Sequence, residues 1–114
     1  MATVAAHAHQ VNHNETFRNT IDPALFPDWV VTAAFYQAVH LAEGLLVRKG
    51  RASGSHVARN GILKRLFPTM WAHYRPLYNQ SRVARYLCVP IPPAAVAQAT
   101  ARLQSTAATC AAVP

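Results

Sequence analysis

The side chains able to do chemistry in this chain are histidines, arginines and tyrosines set at helical spacings. Thr32, Tyr36, His40 and Glu43 recur every three or four residues and fall within about 80° of one another on a helical wheel. On an otherwise apolar segment such a strip either faces solvent or meets polar groups from a neighbour. Glu43 in particular needs a cation, from Arg59, Arg82 or Arg85, because an unpaired acid on a mostly buried helix is costly. His40 also suits a core histidine bonded to a tyrosine. Tyr74, Tyr78, Ser81, Arg82 and Arg85 form a second strip, with Tyr86 beside it. Guanidinium groups interleaved with phenol rings suit phosphate contact and base stacking. The same tyrosines also suit a core whose rim the hydroxyls and arginines reach.

Between the strips lies Ser55-His56-x-x-Arg59. An imidazole at a helix start meets the positive end of the helix dipole, which disfavours imidazolium and attracts anions. A neutral imidazole beside a guanidinium can take a 2′-hydroxyl proton while the cation stabilises charge developing on phosphorus. His56 and Arg59 are thus the candidate catalytic pair. Arg82, Arg85, Tyr78 and Tyr74 are candidate contacts for nucleic acid or phosphate, and Tyr36, His40 and Glu43 are a supporting polar cluster. His7, His9 and His13 do not share one helix face, and Cys88 and Cys110 have no metal-ligand spacing, so no metal and no cofactor is expected.

These groups must be positioned by helices, since no segment shows the period-2 alternation of a half-buried strand. Ala2 to Asn19 reads as an arm or weak helix, ended by Asp22-Pro23 and Phe26-Pro27. The strongest helix runs from Pro27 or Asp28 to about Val47. Arg48 and Lys49 suit its C-terminal end and Gly50 its left-handed cap. A small-residue loop leads to Ser55, an N-cap for a helix to about Phe67. The next helix spans Thr69 to Leu87, with Pro76 either kinking it or marking its first turn. Pro90, Pro92 and Pro93 end it, and Ala94 to Ala111 is a final helix with Val96, Leu103, Ala107 and Cys110 near one stripe. The expected fold is all-α, a four- to five-helix antiparallel bundle. It divides into an N-terminal arm or weak helix (1–27), a helical core (28–90) and an alanine-rich C-terminal helix packing on the core or a partner (91–114).

At 114 residues, 52% hydrophobic and 13% charged, the chain can bury roughly 65% of its unfolded surface without staples. That composition excludes a disordered tail. The net charge is +7, and nine of the eleven cations are arginines, the residue whose planar fork matches phosphate oxygens. A polyanionic partner is the functional reading of that excess, and simple solubility the alternative. Trp29 to Val47 is apolar, but Gln37, His40 and Glu43 in its middle argue against a membrane span. With no secretory leader and two free thiols expected, a cytoplasmic protein follows.

Trp29…Ala34-Phe35-Tyr36…His40…Glu43, then Ser55-His56-x-x-Arg59, then Tyr74…Leu77…Ser81-Arg82-x-x-Arg85-Tyr86 resembles the HEPN domains. The resemblance spans Trp29 to Tyr86, about half the chain. It implies a small helical bundle, often a dimer, whose members cut RNA without a metal, bind nucleotides or act as partner subunits. Nuclease members carry an Arg followed four to six residues later by His, often with a polar residue after the Arg. Arg51-x4-His56 meets that count. Arg59-Asn60 has the polar successor, but Lys64 and Arg65 stand where the histidine would be. The expectation is an RNA- or nucleotide-binding domain, with metal-independent cleavage and a toxin or defence role as what the family adds. RNA or a nucleotide would be the partner, with a homodimer or a larger protein beside it. The alternative is a non-catalytic helical interaction subunit of a larger complex.

Overall fold

A computed structural model describes residues 2–114, which form five helices and no strand among the described residues: α1 Val4–Thr20, α2 Pro27–Arg48, α3 His56–Leu66, α4 Pro68–Tyr86 and α5 Pro93–Ala112. The chain is all-α. Prolines open α2, α4 and α5 in their first turns, where a missing N–H costs nothing. Pro68 starts α4, so Pro76 lies in its interior and does not mark its first turn.

α2 is the central helix and touches all the others. Val31, Ala34, Phe35, Ala38, Ala42, Leu45 and Leu46 on it are buried. Small alanines let α4 and α5 approach closely, and Leu63, Met70, Tyr74, Leu77, Ala99 and Leu103 complete the core. α2 is long and apolar enough to cross a membrane, yet 67% of its most apolar stretch is buried inside the bundle. α2 and α5 end side by side. Arg48 donates to the carbonyls of Val113 and Cys110 at 2.8 and 3.1 Å, supplying the cation that the free carbonyls of a helix C-terminus favour.

The segment read as an arm or weak helix is a continuous 17-residue helix lying along α2. It buries no residue fully. His7, Gln10, Val11, Asn14 and Arg18 are its half-buried positions, at intervals of three and four, and they form a mostly polar seam. His7 meets His40, and Arg18 Nε donates to Gln37 Oε1 at 2.7 Å. The two helices come close at Gly44, where a Cβ would stand in van der Waals contact, 3.4 Å, with that of His7. The alanine-rich α5 packs on α2 and α4, through Val96, Ala99, Leu103 and Cys110.

Candidate functional site

The strip on α2 is divided among three neighbours. Tyr36 meets α4, His40 meets α1, and Glu43 meets α3 and the loop before it. Tyr36, His40 and Glu43 therefore do not face α4 together. An arc of 80° on a central helix is wide enough to look at several packed elements.

Of the three arginines able to pair with Glu43, Arg59 does so, its Nε donating to Oε1 at 2.6 Å. The Ser53 hydroxyl donates to the same oxygen. The next residue, Gly54, takes a left-handed φ of 75°, a conformation that costs other residues about 1–2 kcal/mol. Ser55 then caps α3 by accepting from the Ala58 N–H at 3.1 Å. Burial pushes the Glu43 carboxyl up, but the bonds from Ser53 and Arg59 and the nearby positive charge outweigh it and hold the group below its ordinary range. The pair opens on a cavity of about 410 Å³ shared with His7, Val47 and Ala52.

Arg59 also donates to His56 Nδ1 at 2.9 Å. A guanidinium can only donate, so Nδ1 accepts and the imidazole proton sits on Nε2. The ring packs against Phe35 and Tyr78, with centroids 5.8 and 6.0 Å away. Burial, then the charges of Arg59 and Arg85, lower the pKa of His56. His40 is lowered too, first by burial, then by His7 and Arg59, against an opposing pull from Glu43. Its Nδ1 lies 3.0 Å from His7 Nδ1, a separation that requires one ring to donate and the other to accept.

Arg85 packs on the same Phe35 ring as His56. Its Nε donates to the Ser81 carbonyl at 3.2 Å, and its terminal nitrogens to Ser81 Oγ at 3.2 Å and Tyr36 Oη at 3.1 Å. The guanidinium carbon stands 4.9, 5.5 and 5.6 Å from the ring centroids of Tyr86, Phe35 and Tyr36, within cation–π range. Arg82 is exposed and lies over Tyr78 at 5.9 Å. Among the described residues the ion pairs are Arg18–Glu15 and Arg59–Glu43. Neither Arg82 nor Arg85 has a carboxylate partner.

Tyr74 departs from the rest of the α4 strip. It is wholly buried in the core and presents no ring face on which a base could stack. Its hydroxyl has no partner in good hydrogen-bond geometry; burial pushes its pKa up to about 12, outweighing the Arg59 guanidinium, which is near enough to draw it down. Tyr78, one turn on, is half-buried at the site. The structure adds three groups that were not among the expected site residues: His7, Ser53 and Phe35, the ring beneath Arg85. In the sequence His7 stood out only beside His9 and His13, as a metal set that one helix face could not form.

Comparisons with protein-family models, curated proteins and solved structures gave no match. The chemistry therefore rests on the site itself. Among the described residues no three of His, Cys, Asp and Glu converge as a metal-ligand set. What converges is an imidazole, a neutralised guanidinium bonded to it and an uncompensated one packed on the same Phe35 ring, at a surface lined with phenols.

Proposed function

We propose that this chain is a HEPN-like helical domain that binds RNA or a nucleotide through the surface where α2, α3 and α4 meet. Arg85 carries the reading. It is a full positive charge held by neutral oxygens and three rings, beside a neutral imidazole, with no carboxylate to compensate it. Such a group is pre-organised for an anion, and a phosphate offers oxygens that match its fork. Arg82 and Tyr78 extend the surface with a second cation and a ring. His56, with its proton on Nε2, adds a donor. The helical bundle and the spacing of the residues quoted above support the HEPN-like part of the reading; a homodimer and a toxin or defence role rest on the resemblance, and a cytoplasmic setting on the two free thiols.

Binding is favoured over cleavage by the tautomer of His56. To take a proton from a 2′-hydroxyl, Nδ1 would have to release Arg59, or the proton would have to leave Nε2. The imidazole as held donates to a phosphate oxygen instead. Cleavage is the second reading, supported by the lowered pKa of His56, which keeps the ring neutral near pH 7.

Fluorescence anisotropy with a labelled single-stranded RNA tests both. Arg82→Ala with Arg85→Ala is expected to weaken binding at least tenfold on several unrelated sequences, because phosphate contacts carry no base preference. Equal affinity of the wild type and the double variant contradicts the reading. If the RNA is cut, His56→Ala is expected to abolish cutting; cutting that survives it removes His56 as the acting group.

A further inference from the structure

The groove between α1 and the first half of α2 is not used by the site described above, yet Tyr36 belongs to both. It measures about 310 Å³ and is lined by Gln10, Asn14, Phe17, Trp29, Thr32 and Tyr36, with His40 at one end. That volume lies at the small end of ligand pockets. Trp29 and Phe17 are 54% and 53% exposed, so the groove offers open aromatic faces. To this groove α1 brings one aromatic ring, Phe17, and two amides, Gln10 and Asn14.

Those amides are arranged. Gln10 Nε2 donates to Asn14 Oδ1 at 2.9 Å, which leaves Gln10 Oε1 to accept and Asn14 Nδ2 to donate. If both amides are turned over, the pair still presents one acceptor and one donor. An adjacent donor and acceptor is the pattern on the edge of an unpaired nucleobase, and Asn and Gln side chains read adenine in this way. Thr32 Oγ1 donates to the Asp28 carbonyl at 2.8 Å and keeps its lone pairs for a further donor. At the far wall Tyr36 Oη accepts from Arg85 at 3.1 Å, so one wall residue of the groove is bonded to the uncompensated guanidinium.

We propose that this groove is a nucleobase subsite: it takes one unstacked base of a single strand, stacked on Trp29 and read by Gln10 and Asn14, while Arg85 holds the adjoining phosphate. The inference rests on the reading of Arg85 as a phosphate contact and adds the base to it. Charge continuity with Arg85 favours a nucleic-acid occupant over a second copy of this cationic chain, whose net charge of +7 would be brought against itself.

The test compares a labelled ten-nucleotide oligoadenylate with an abasic ribose-phosphate strand of the same length, by anisotropy at one salt concentration. The adenylate is expected to bind about 5- to 100-fold more tightly, the range that base–aromatic stacking supplies. Trp29→Ala, at an exposed position, is expected to bring the adenylate down to the abasic level and to leave the abasic strand unchanged. Asn14→Leu, which keeps a helix-compatible side chain, is expected to reduce the same difference in part. Equal binding of the two strands, untouched by Trp29→Ala, overturns the base subsite and leaves the phosphate reading standing. Failure of both strands to bind overturns both. Sedimentation of each protein closes the remaining route. If Trp29→Ala dissociates an oligomer without changing the difference between strands, the groove is a self-contact and the proposal fails.

Discussion

Arg59 and Arg85 both act by charge on the His56 imidazole and are held in opposite ways. Arg59 is buried and spends its donors on Glu43 and His56. Arg85 is half-buried and touches only neutral oxygens and aromatic rings. A buried guanidinium that meets a carboxylate adds nothing to the outer field, and it ties α2 to α3. A caged guanidinium without a carboxylate keeps its charge available at the surface. The ordering of the Arg85 side chain is already complete before any ligand arrives, which lowers the entropy cost of binding. One arginine is thus architecture and the other is presented for an anion.

Removing Glu43 is the strongest way to break that contrast. Glu43→Ala is expected to cost about 3–5 kcal/mol in urea unfolding, because it leaves Arg59 buried and unpaired. Glu43→Gln, which retains an acceptor for Arg59 and Ser53, is expected to cost clearly less. A loss within about 0.5 kcal/mol for Glu43→Ala, the range of ordinary surface changes, would mean that the pair holds nothing together.

Acid titration sharpens the comparison at the histidines. The folded state lowers the pKa of His40 and His56 below 6.5, so the unfolded chain binds more protons between the folded values and 6.5. Stability therefore rises with pH through that window and falls on acidification through it. Glu43 is held below 4.5; its contribution is present above that value and is lost as pH drops through the folded one. Two separate declines are expected on acidification, and His40→Gln with His56→Gln is expected to diminish the first and spare the second. A melting temperature flat from pH 7 to 5 in the wild type would contradict this.

The smallest effect is expected at Tyr74. Its hydroxyl is buried with no partner in good geometry and only the Arg59 guanidinium near it, so Tyr74→Phe removes at most a poor hydrogen bond and spares a desolvated polar group. Stability is expected to be unchanged or to rise by up to about 1 kcal/mol, with RNA affinity unaltered. Any loss of affinity would place Tyr74 back among the binding residues.

The helices of the core were legible because their stops are chemical. Asp22-Pro23, Phe26-Pro27, Gly50, Ser55 and the Pro90–Pro93 run each have a backbone consequence that does not depend on packing. The near-uniform apolarity of α2 likewise announced a central helix. α1 was harder to read, since His7, Gln10, Asn14 and Arg18 dock it without an apolar stripe. The site was legible in its members and not in its pairings. A helical wheel gives a direction from one axis and says nothing of which neighbour stands there. Tyr74 and Tyr78 differ by 40° on that wheel, and the first is core while the second faces the site. Tyr36, His40 and Glu43 differ by no more than 80°, and each meets a different helix.

The salt dependence of binding tests most directly whether Arg82 and Arg85 form a phosphate surface. The affinity for a short single-stranded RNA is measured from low to moderate salt for the wild type and for Arg82→Gln with Arg85→Gln. Each phosphate neutralised on a single strand contributes about 0.7 to the slope of log K against log salt. The wild type is expected to lose affinity steeply, and the double variant to show a slope shallower by about 1.4. A slope that is the same in both proteins, or an affinity that salt does not change, would contradict the account.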